Sequence, residues 1–307
     1  DRIAILHRNG YQIVISYFGI VKTGATVVPV NLLLSAEEVG YILRDSEAKG
    51  LIYHEIFEEN VNAIKNTLQK LSLFIVAGKS QRLNARALND IFEKEKADFS
   101  IPTINQKEDI AALLYTSGTT GKPKGVMLTH RNLLSNIESI LKAVSINEKD
   151  IFLTVLPMFH SFGATCGMLV PVSAGATIVA VPRFFPEEII EIIKRTKATI
   201  FMGVPSMYTL LADLPGKGKE DLSSLRFCIS GGDALPIEVM KKFEKKYGVL
   251  IYEGDGPTEC SPVTSINPVG GKRKPGSIGL PIPGVEMKIV DEKGKELPPG
   301  EIGEIIV

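Results

Sequence analysis

Cysteine is scarce in this chain. Cys166, Cys228 and Cys260 are the 3 in 307 residues, odd in number and far apart. Their spacing forms no zinc-ligand pair and no disulfide framework, which fits a reducing cytoplasm, and no neighbouring pattern marks any of them as an activated thiol. Net charge is missing too, because 35 Lys and Arg balance 35 Asp and Glu. No overall field therefore draws nucleic acid, and the runs Lys241-Lys242, Lys245-Lys246 and Lys272-Arg273-Lys274 read as solvated faces. A signal peptide is not visible, the first residue is Asp1, and both abrupt ends read as cuts through a larger protein.

Formal charge is also absent from residues 151–182. A membrane-spanning helix needs about 20 mostly apolar residues, but Pro157, Pro171 and Gly175 interrupt this run. It reads instead as a buried helix followed by a core strand over Ala176–Val181, with Gly163-x-x-x-Gly167 marking close packing. A peripheral membrane contact stays open as an option.

What is present alternates between strand and helix patterns. At 307 residues the chain can bury roughly three quarters of the surface its unfolded form exposes. Ile3–Leu6, Thr26–Val30, Leu51–Tyr53 and Leu73–Val76 read as strands, and Tyr11–Thr23 and Glu58–Lys70 as helices. Ser35-Ala-Glu-Glu38 reads as a capping box opening a helix to about Glu47. Leu133, Leu134, Ile137, Ile140, Leu141 and Val144 recur at helical spacing. Pro186 and Pro236 open two further helices, which lead into strands over Thr199–Gly203 and Val249–Tyr252. Such alternation predicts an α/β fold of two largely parallel sheets layered with helices. From about Lys272, Pro and Gly rise and short hairpin strands appear over Val285–Val290 and Glu301–Val307. The expected organisation is an α/β core over 1–271, with two interleaved layers meeting near 150, and the start of a small β subdomain over 272–307.

The most informative run is Tyr115-Thr-Ser-Gly-Thr-Thr-Gly-Lys-Pro-Lys-Gly-Val126, with three glycines, four hydroxyls and two lysines in twelve residues. The apolar Ile110–Leu114 leads into it and a helical pattern follows. Glycines let backbone N–H groups converge on an anion, hydroxyls add donors and lysines add charge, so this reads as a phosphate-gripping loop. It is not a Walker A loop: Gly118 and Gly121 have two residues between them where that motif needs four, and Lys122 precedes Pro123. The whole string resembles the signature loop of the acyl-adenylate-forming (AMP-binding) superfamily, which includes acyl-CoA synthetases, luciferases and peptide-synthetase adenylation domains.

Three more segments resemble that superfamily in the same order. In Leu156-Pro-Met-Phe-His-Ser-Phe-Gly163, the resemblance places His160 in the acyl pocket, with Gly203 also facing the acid. Amino-acid-activating relatives carry an Asp where His160 stands, so an ordinary carboxylic acid is expected. Phe162, Met168, Phe201, Met202 and Met207 could line a fatty-acyl or aryl pocket, although most read equally as core. Ser230-Gly-Gly-Asp-Ala-Leu-Pro236 resembles the adenine-facing turn, in which Gly231, Gly232 and Asp233 approach the nucleotide. Tyr252-Glu-Gly-Asp-Gly-Pro-Thr-Glu259 matches the family pattern at Thr258, implied to touch the α-phosphate, and at Glu259, implied to bind Mg²⁺. Glu253, Gly254 and Asp255 fall in the nucleotide-facing part, and Asp255 departs from the aromatic residue usual there, since a carboxylate cannot stack on adenine.

The resemblance, most like long-chain fatty-acid–CoA ligases, implies two steps with ATP, Mg²⁺ and coenzyme A. A carboxylate attacks the α-phosphorus, and coenzyme A then displaces AMP from the acyl-adenylate. Thr116, Ser117, Gly118, Thr119, Thr120, Gly121 and Lys122 are implied to hold the β- and γ-phosphates with Lys124 close behind, and Lys122, Thr258 and Glu259 to serve catalysis. In the family a ribose-binding Asp, a hinge and a C-terminal lid follow, so these 307 residues are expected to retain weak nucleotide binding at most. The expected partners are a carboxylic acid, with a fatty acid favoured, and no nucleic acid. A homodimer stays open, and so does a peripheral membrane contact of a cytoplasmic protein. Aryl or medium-chain acids are the alternative substrates, and a non-catalytic acyl- or nucleotide-binding relative is the alternative class.

Overall fold

The computed structural model describes residues 1–95, 99–116 and 121–307. The chain forms two compact units. Asp1–Leu134, Thr154–Met168 and Ala180–Arg183 form the first, and Ser135–Leu153, Leu169–Val179 and Phe184–Val307 the second.

The first unit is built on β1 (Arg2–Leu6), β2 (Thr26–Pro29), β3 (Gly50–His54), β4 (Leu73–Ala77), β5 (Arg86–Ala87), β6 (Ile110–Thr116) and β7 (Lys124–Thr129), in the order β5-β4-β3-β1-β2-β6-β7. All of these pairings are parallel except β6–β7. Parallel strands covered on both faces are apolar throughout, and Gly50–Tyr53 is accordingly buried at every position. Helices α1 (Tyr11–Lys22), α2 (Ala36–Asp45), α3 (Glu58–Ile64) and α4 (Leu88–Lys94) connect the strands. The capping box opens α2 as the sequence predicts: Ser35 Oγ accepts the Glu38 N–H at 3.3 Å and Glu38 Oε2 accepts the Ser35 N–H at 2.8 Å. Buried Val39, Ile42 and Leu43 then fix α2 in the core with Leu6, Val28 and Tyr53.

Two local expectations are corrected here. The predicted helix over 58–70 ends at Ile64 and passes into a 3-10 turn, where Thr67 Oγ1 donates to the Ile64 carbonyl at 2.7 Å. A hydroxyl bonded to the main chain competes with helical hydrogen bonds. The phosphate loop, moreover, does not run directly into a helix. The chain first returns along β6 as β7, and α5 (His130–Ala143) begins only afterwards.

The second unit carries β8 (Ile151–Thr154), β9 (Thr177–Ala180), β10 (Ile200–Gly203), β11 (Phe227–Ser230), β12 (Ile251–Asp255), β13 (Ser265–Ile266) and β14 (Leu280–Pro281), in the order β14-β13-β12-β11-β10-β8-β9. The run β8-β10-β11-β12 is parallel, and β13 and β14 add antiparallel pairs at its edge. The short helix α6 (Ser161–Ala164) and most of the π-helical stretch over Thr165–Leu169 belong to the first unit, and α7 (Val170–Ser173) belongs to the second, all within the uncharged region. Its GxxxG does pack closely: a Cβ on Gly167 would meet Thr154 Cγ2 at 2.6 Å, and one on Gly163 would overlap the Pro157 carbonyl oxygen. Among the described residues no helix is long and apolar enough to cross a membrane.

Helices α8 (Pro186–Thr196), α9 (Pro205–Asp213) and α10 (Ile237–Tyr247) complete this unit. Pro186 occupies the first turn of α8, where a missing N–H costs nothing, and Ile189, Ile190 and Ile193 are fully buried. Met240, Phe243 and Tyr247 do the same for α10. The last hairpin pairs β15 (Lys288–Val290) with β16 (Glu304–Ile306).

Candidate functional site

Strands β6 and β7 flank the phosphate loop as an antiparallel pair. Thr116 pairs with Lys124 as the last register pair before the turn, and Tyr115 lies opposite Gly125. A Cβ on Gly125 would press on Leu113 Cδ1 at 2.9 Å, so the leucine would have to shift to admit a side chain there. Gly121 has φ +93°, a conformation that disfavours any side chain. Lys122 and Lys124 are exposed and available to an anion. Ser117, Gly118, Thr119 and Thr120 lie outside the described residues.

His160 caps α6: its Nδ1 accepts the Phe162 N–H at 3.3 Å. Desolvation lowers its proton affinity, so the ring is neutral near pH 7. The preceding segment is anchored by a residue with no motif around it. Asn9, buried after β1, donates to the Leu156 carbonyl at 2.9 Å and accepts the Met158 N–H at 3.0 Å. Asn9→Ala would leave those buried groups unpaired and is expected to lower unfolding free energy by about 2 kcal/mol, read from the urea midpoint. A shift equivalent to less than about 0.5 kcal/mol, the scatter of neutral surface changes, would remove Asn9 from this role.

In the second unit the remaining residues gather at one edge. β10, β11 and β12 are parallel neighbours, with Gly203 opposite Ser230 and Ser230 opposite Glu253. Gly203, Gly231, Gly232, Asp233, Gly254 and Asp255 therefore sit at or just beyond the carboxyl ends of three adjacent strands, where open parallel sheets bind ligands. Gly232 has φ +82°. Asp233 turns back so that its Oδ1 accepts the Ala234 N–H at 2.7 Å. Asp255 ends β12 exposed, while its carbonyl accepts the Thr264 N–H at 2.9 Å.

Glu253 differs from its neighbours in being buried, and its Oε2 accepts the Gly276 N–H at 2.8 Å. Burial pushes its carboxyl up, against that hydrogen bond and the Arg273 guanidinium. Asn267 holds the same strand end from behind, its N–H donating to the Glu253 carbonyl at 2.9 Å.

Thr258 and Glu259 follow on a 3-10 turn, closed by the Ser261 N–H donating to the Thr258 carbonyl at 3.1 Å. The Glu259 carboxylate is exposed. Mg²⁺ is held by one or two carboxylates plus phosphate oxygens and water rather than by an all-protein cage. A single exposed carboxylate, Glu259, is compatible with that demand. Among the described residues no group of three or more His, Cys, Asp or Glu converges on a metal position.

Anchors such as Asn9, Asn267 and Asn136 escaped the sequence reading. Asn136 brackets Val263, donating to its carbonyl at 2.8 Å and accepting its N–H at 3.2 Å. Each joins segments remote in sequence, and a lone Asn gives no local signal of its partner.

The profile of the AMP-binding enzyme family matches residues 1–307. A long-chain-fatty-acid–CoA ligase of Bacillus subtilis (strain 168) is 37% identical over 100% of this chain and 60% of its own length. Among solved structures, an anthranilate CoA ligase in complex with anthranoyl-AMP superposes with a TM-score of 0.94 at 33% identity, covering 99% of this chain and 59% of that one. ATP-bound MatB from Rhodopseudomonas palustris superposes with a TM-score of 0.89 at 31% identity, covering 99% and 59%. The chain thus spans about three fifths of the length of the relatives it matches. Two mostly parallel sheets with flanking helices, a match over the full chain and identities above 30% lead to one assignment: this chain belongs to the AMP-binding enzyme family.

Proposed function

We propose that the full-length protein activates a carboxylic acid with ATP and passes the acyl group to coenzyme A. In the first step a carboxylate oxygen bonds to the α-phosphorus of ATP and the bond to the bridging oxygen breaks, releasing pyrophosphate and an acyl-adenylate. In the second, the coenzyme A sulfur bonds to the acyl carbon, the thiol proton is lost to solvent, and AMP leaves. The observation that carries this reading is the family match over residues 1–307. The motif residues at the carboxyl edge of β10–β12 support it further.

The first step gathers negative charge, so positioning and electrostatic stabilisation carry the catalysis. Thr116, Gly121, Lys122 and Lys124 offer donors and positive charge to the β- and γ-phosphates. Gly231 and Gly232 offer a flat main chain to the adenine, and Thr258 a hydroxyl to the α-phosphate. Glu259 would hold Mg²⁺, which when bound neutralises phosphate charge. His160, uncharged and without a carboxylate to pair with an amine, is assigned to an ordinary acid, and Gly203 is assigned to the same ligand on the family resemblance alone. We assign residues 272–307 to a small β subdomain beside the 1–271 core. The cytoplasm is the proposed setting, with peripheral membrane contact and homodimer formation as subsidiary parts of the proposal.

A fatty acid is the favoured substrate, supported by the Bacillus relative. The likeness to an anthranilate CoA ligase favours an aryl acid as the second reading, and Asp255 in place of a stacking aromatic favours a non-catalytic binder as the third. ATP–pyrophosphate exchange by the full-length protein, run against long-chain, medium-chain and aryl acids, separates them. Exchange that is strongest with long-chain acids is the expected result. Preference for an aryl acid would replace the substrate, and ATP binding without exchange with any acid would replace the enzyme by a binder.

A further inference from the structure

Helix α2 carries two side chains, four residues apart and so on one face, that reach the two flanks of the phosphate loop. Asp45 Oδ2 accepts the Tyr115 hydroxyl at 2.6 Å on the entry side. Tyr41 donates its hydroxyl to the Pro123 carbonyl at 3.3 Å on the exit side. The same Tyr41 ring lies under the Lys122 ammonium, 5.9 Å from its centroid, at the outer limit of a cation–π contact. Sequence separations of 70 and 82 residues make both hydrogen bonds tertiary contacts.

We propose that Tyr41 and Asp45 are positioning residues for the phosphate loop, holding Tyr115 on one side and Lys122-Pro123 on the other. The inference rests on the adenylating function proposed above. Anion-binding segments bind well only when their donors are placed beforehand, because ordering them on binding costs conformational entropy. The scaffold is suited to this: the capping box fixes the start of α2 and three buried side chains fix its face. Tyr115 is ready as a donor, since burial and then the Asp45 carboxylate push its phenol up and keep the proton on it. Tyr41 serves twice, through its hydroxyl to the main chain and through its ring to the lysine that would meet phosphate.

The test uses full-length protein with Tyr41→Phe, Asp45→Ala, Asp45→Asn and Tyr115→Phe. Loss of one such hydrogen bond is expected to raise the KM for ATP about three- to ten-fold in pyrophosphate exchange, with little change in kcat. Asp45→Asn retains an acceptor and should restore most of the loss. Asp45→Ala combined with Tyr115→Phe should be no worse than either alone, because both remove the same contact. Amide hydrogen exchange at residues 121–126 should rise in Tyr41→Phe and Asp45→Ala. Unchanged KM together with unchanged amide exchange would overturn the proposal, as would an Asp45→Asn defect equal to that of Asp45→Ala. If wild-type protein shows no exchange of pyrophosphate with any acid, the adenylation reading fails, and the amide measurement alone then decides the positioning role.

Discussion

In the full-length protein, if it has the adenylating function proposed above, Glu259→Gln is expected to lower acid-dependent ATP–pyrophosphate exchange by about 100- to 1,000-fold, the effect of removing one electrostatic stabiliser of a developing charge. Glu259 sits exposed on a 3-10 turn whose shape is fixed by main-chain hydrogen bonds from Cys260 to Pro257 and from Ser261 to Thr258. The amide is nearly the same size, so the turn should survive and unfolding free energy should move by less than about 0.5 kcal/mol. What changes is charge. The exposed Glu259 carboxylate is a hard oxygen ligand of the kind a divalent cation takes, and the amide offers no charge in its place. The loss should shrink at high Mg²⁺, since the weakened site still fills by mass action. Exchange within ten-fold of wild type at low Mg²⁺ would remove Glu259 from the reaction.

The second large effect concerns stability and acid. His7 follows β1 and is 2% exposed, with its Nδ1 2.6 Å from the Arg8 carbonyl oxygen and its Nε2 buried without a partner. Its ring meets His54 edge-on at 5.0 Å. Burial lowers its pKa from 6.5 to about 4, helped by the positive field of His54 and Arg8 and opposed by the Arg8 carbonyl. The folded state therefore binds fewer protons than the unfolded chain between these values, and stability falls as pH falls. Above about pH 6.5 both states are neutral and nothing is lost. Towards pH 4 the loss approaches about 3 kcal/mol, a large share of the 5–15 kcal/mol typical of a domain.

His54 is lowered as well, by burial and then Arg8, and adds in the same direction. The carboxylates that hydrogen bonding holds low, Glu58 and Asp150, lose their contribution only as pH falls below their ordinary values of 4.5 and 3.8. Urea unfolding at pH 7.0 and 5.0 consequently weights the lowered histidines, His130 and His160 among them, over these two carboxylates, while the raised carboxyl of Glu253 works in the opposite direction. His7→Leu should flatten most of the difference between the two pH values and be neutral or stabilising at pH 7, because it removes a buried unpaired nitrogen. An equal pH dependence in wild type and His7→Leu would refute the assignment.

The sequence made the candidate site legible as segments. The twelve-residue loop, the turn at 230–236 and the run at 252–259 could each be read because their chemistry is local: glycines at strained turns, hydroxyls and lysines in one string. The same holds for the capping box at Ser35 and the proline opening α8, where the hydrogen bonds join residues a turn apart. The gathering of Gly203, Gly232 and Asp255 at one sheet edge could not be read so, because it depends on strand order and register.

Strand β7 was hidden for a related reason. Six residues following a glycine-rich turn match many patterns, and only pairing with β6 makes them a strand. Asn9 beneath Leu156, His54 against His7, and Tyr41 and Asp45 astride the loop were likewise beyond reach. The chemistry of each segment, and the helices and turns that short-range hydrogen bonds and periodicity can close, were readable from residue order. Which side chains support those segments became visible in the folded chain, because contacts between residues tens of positions apart exist once the sheets have fixed their neighbours and not before.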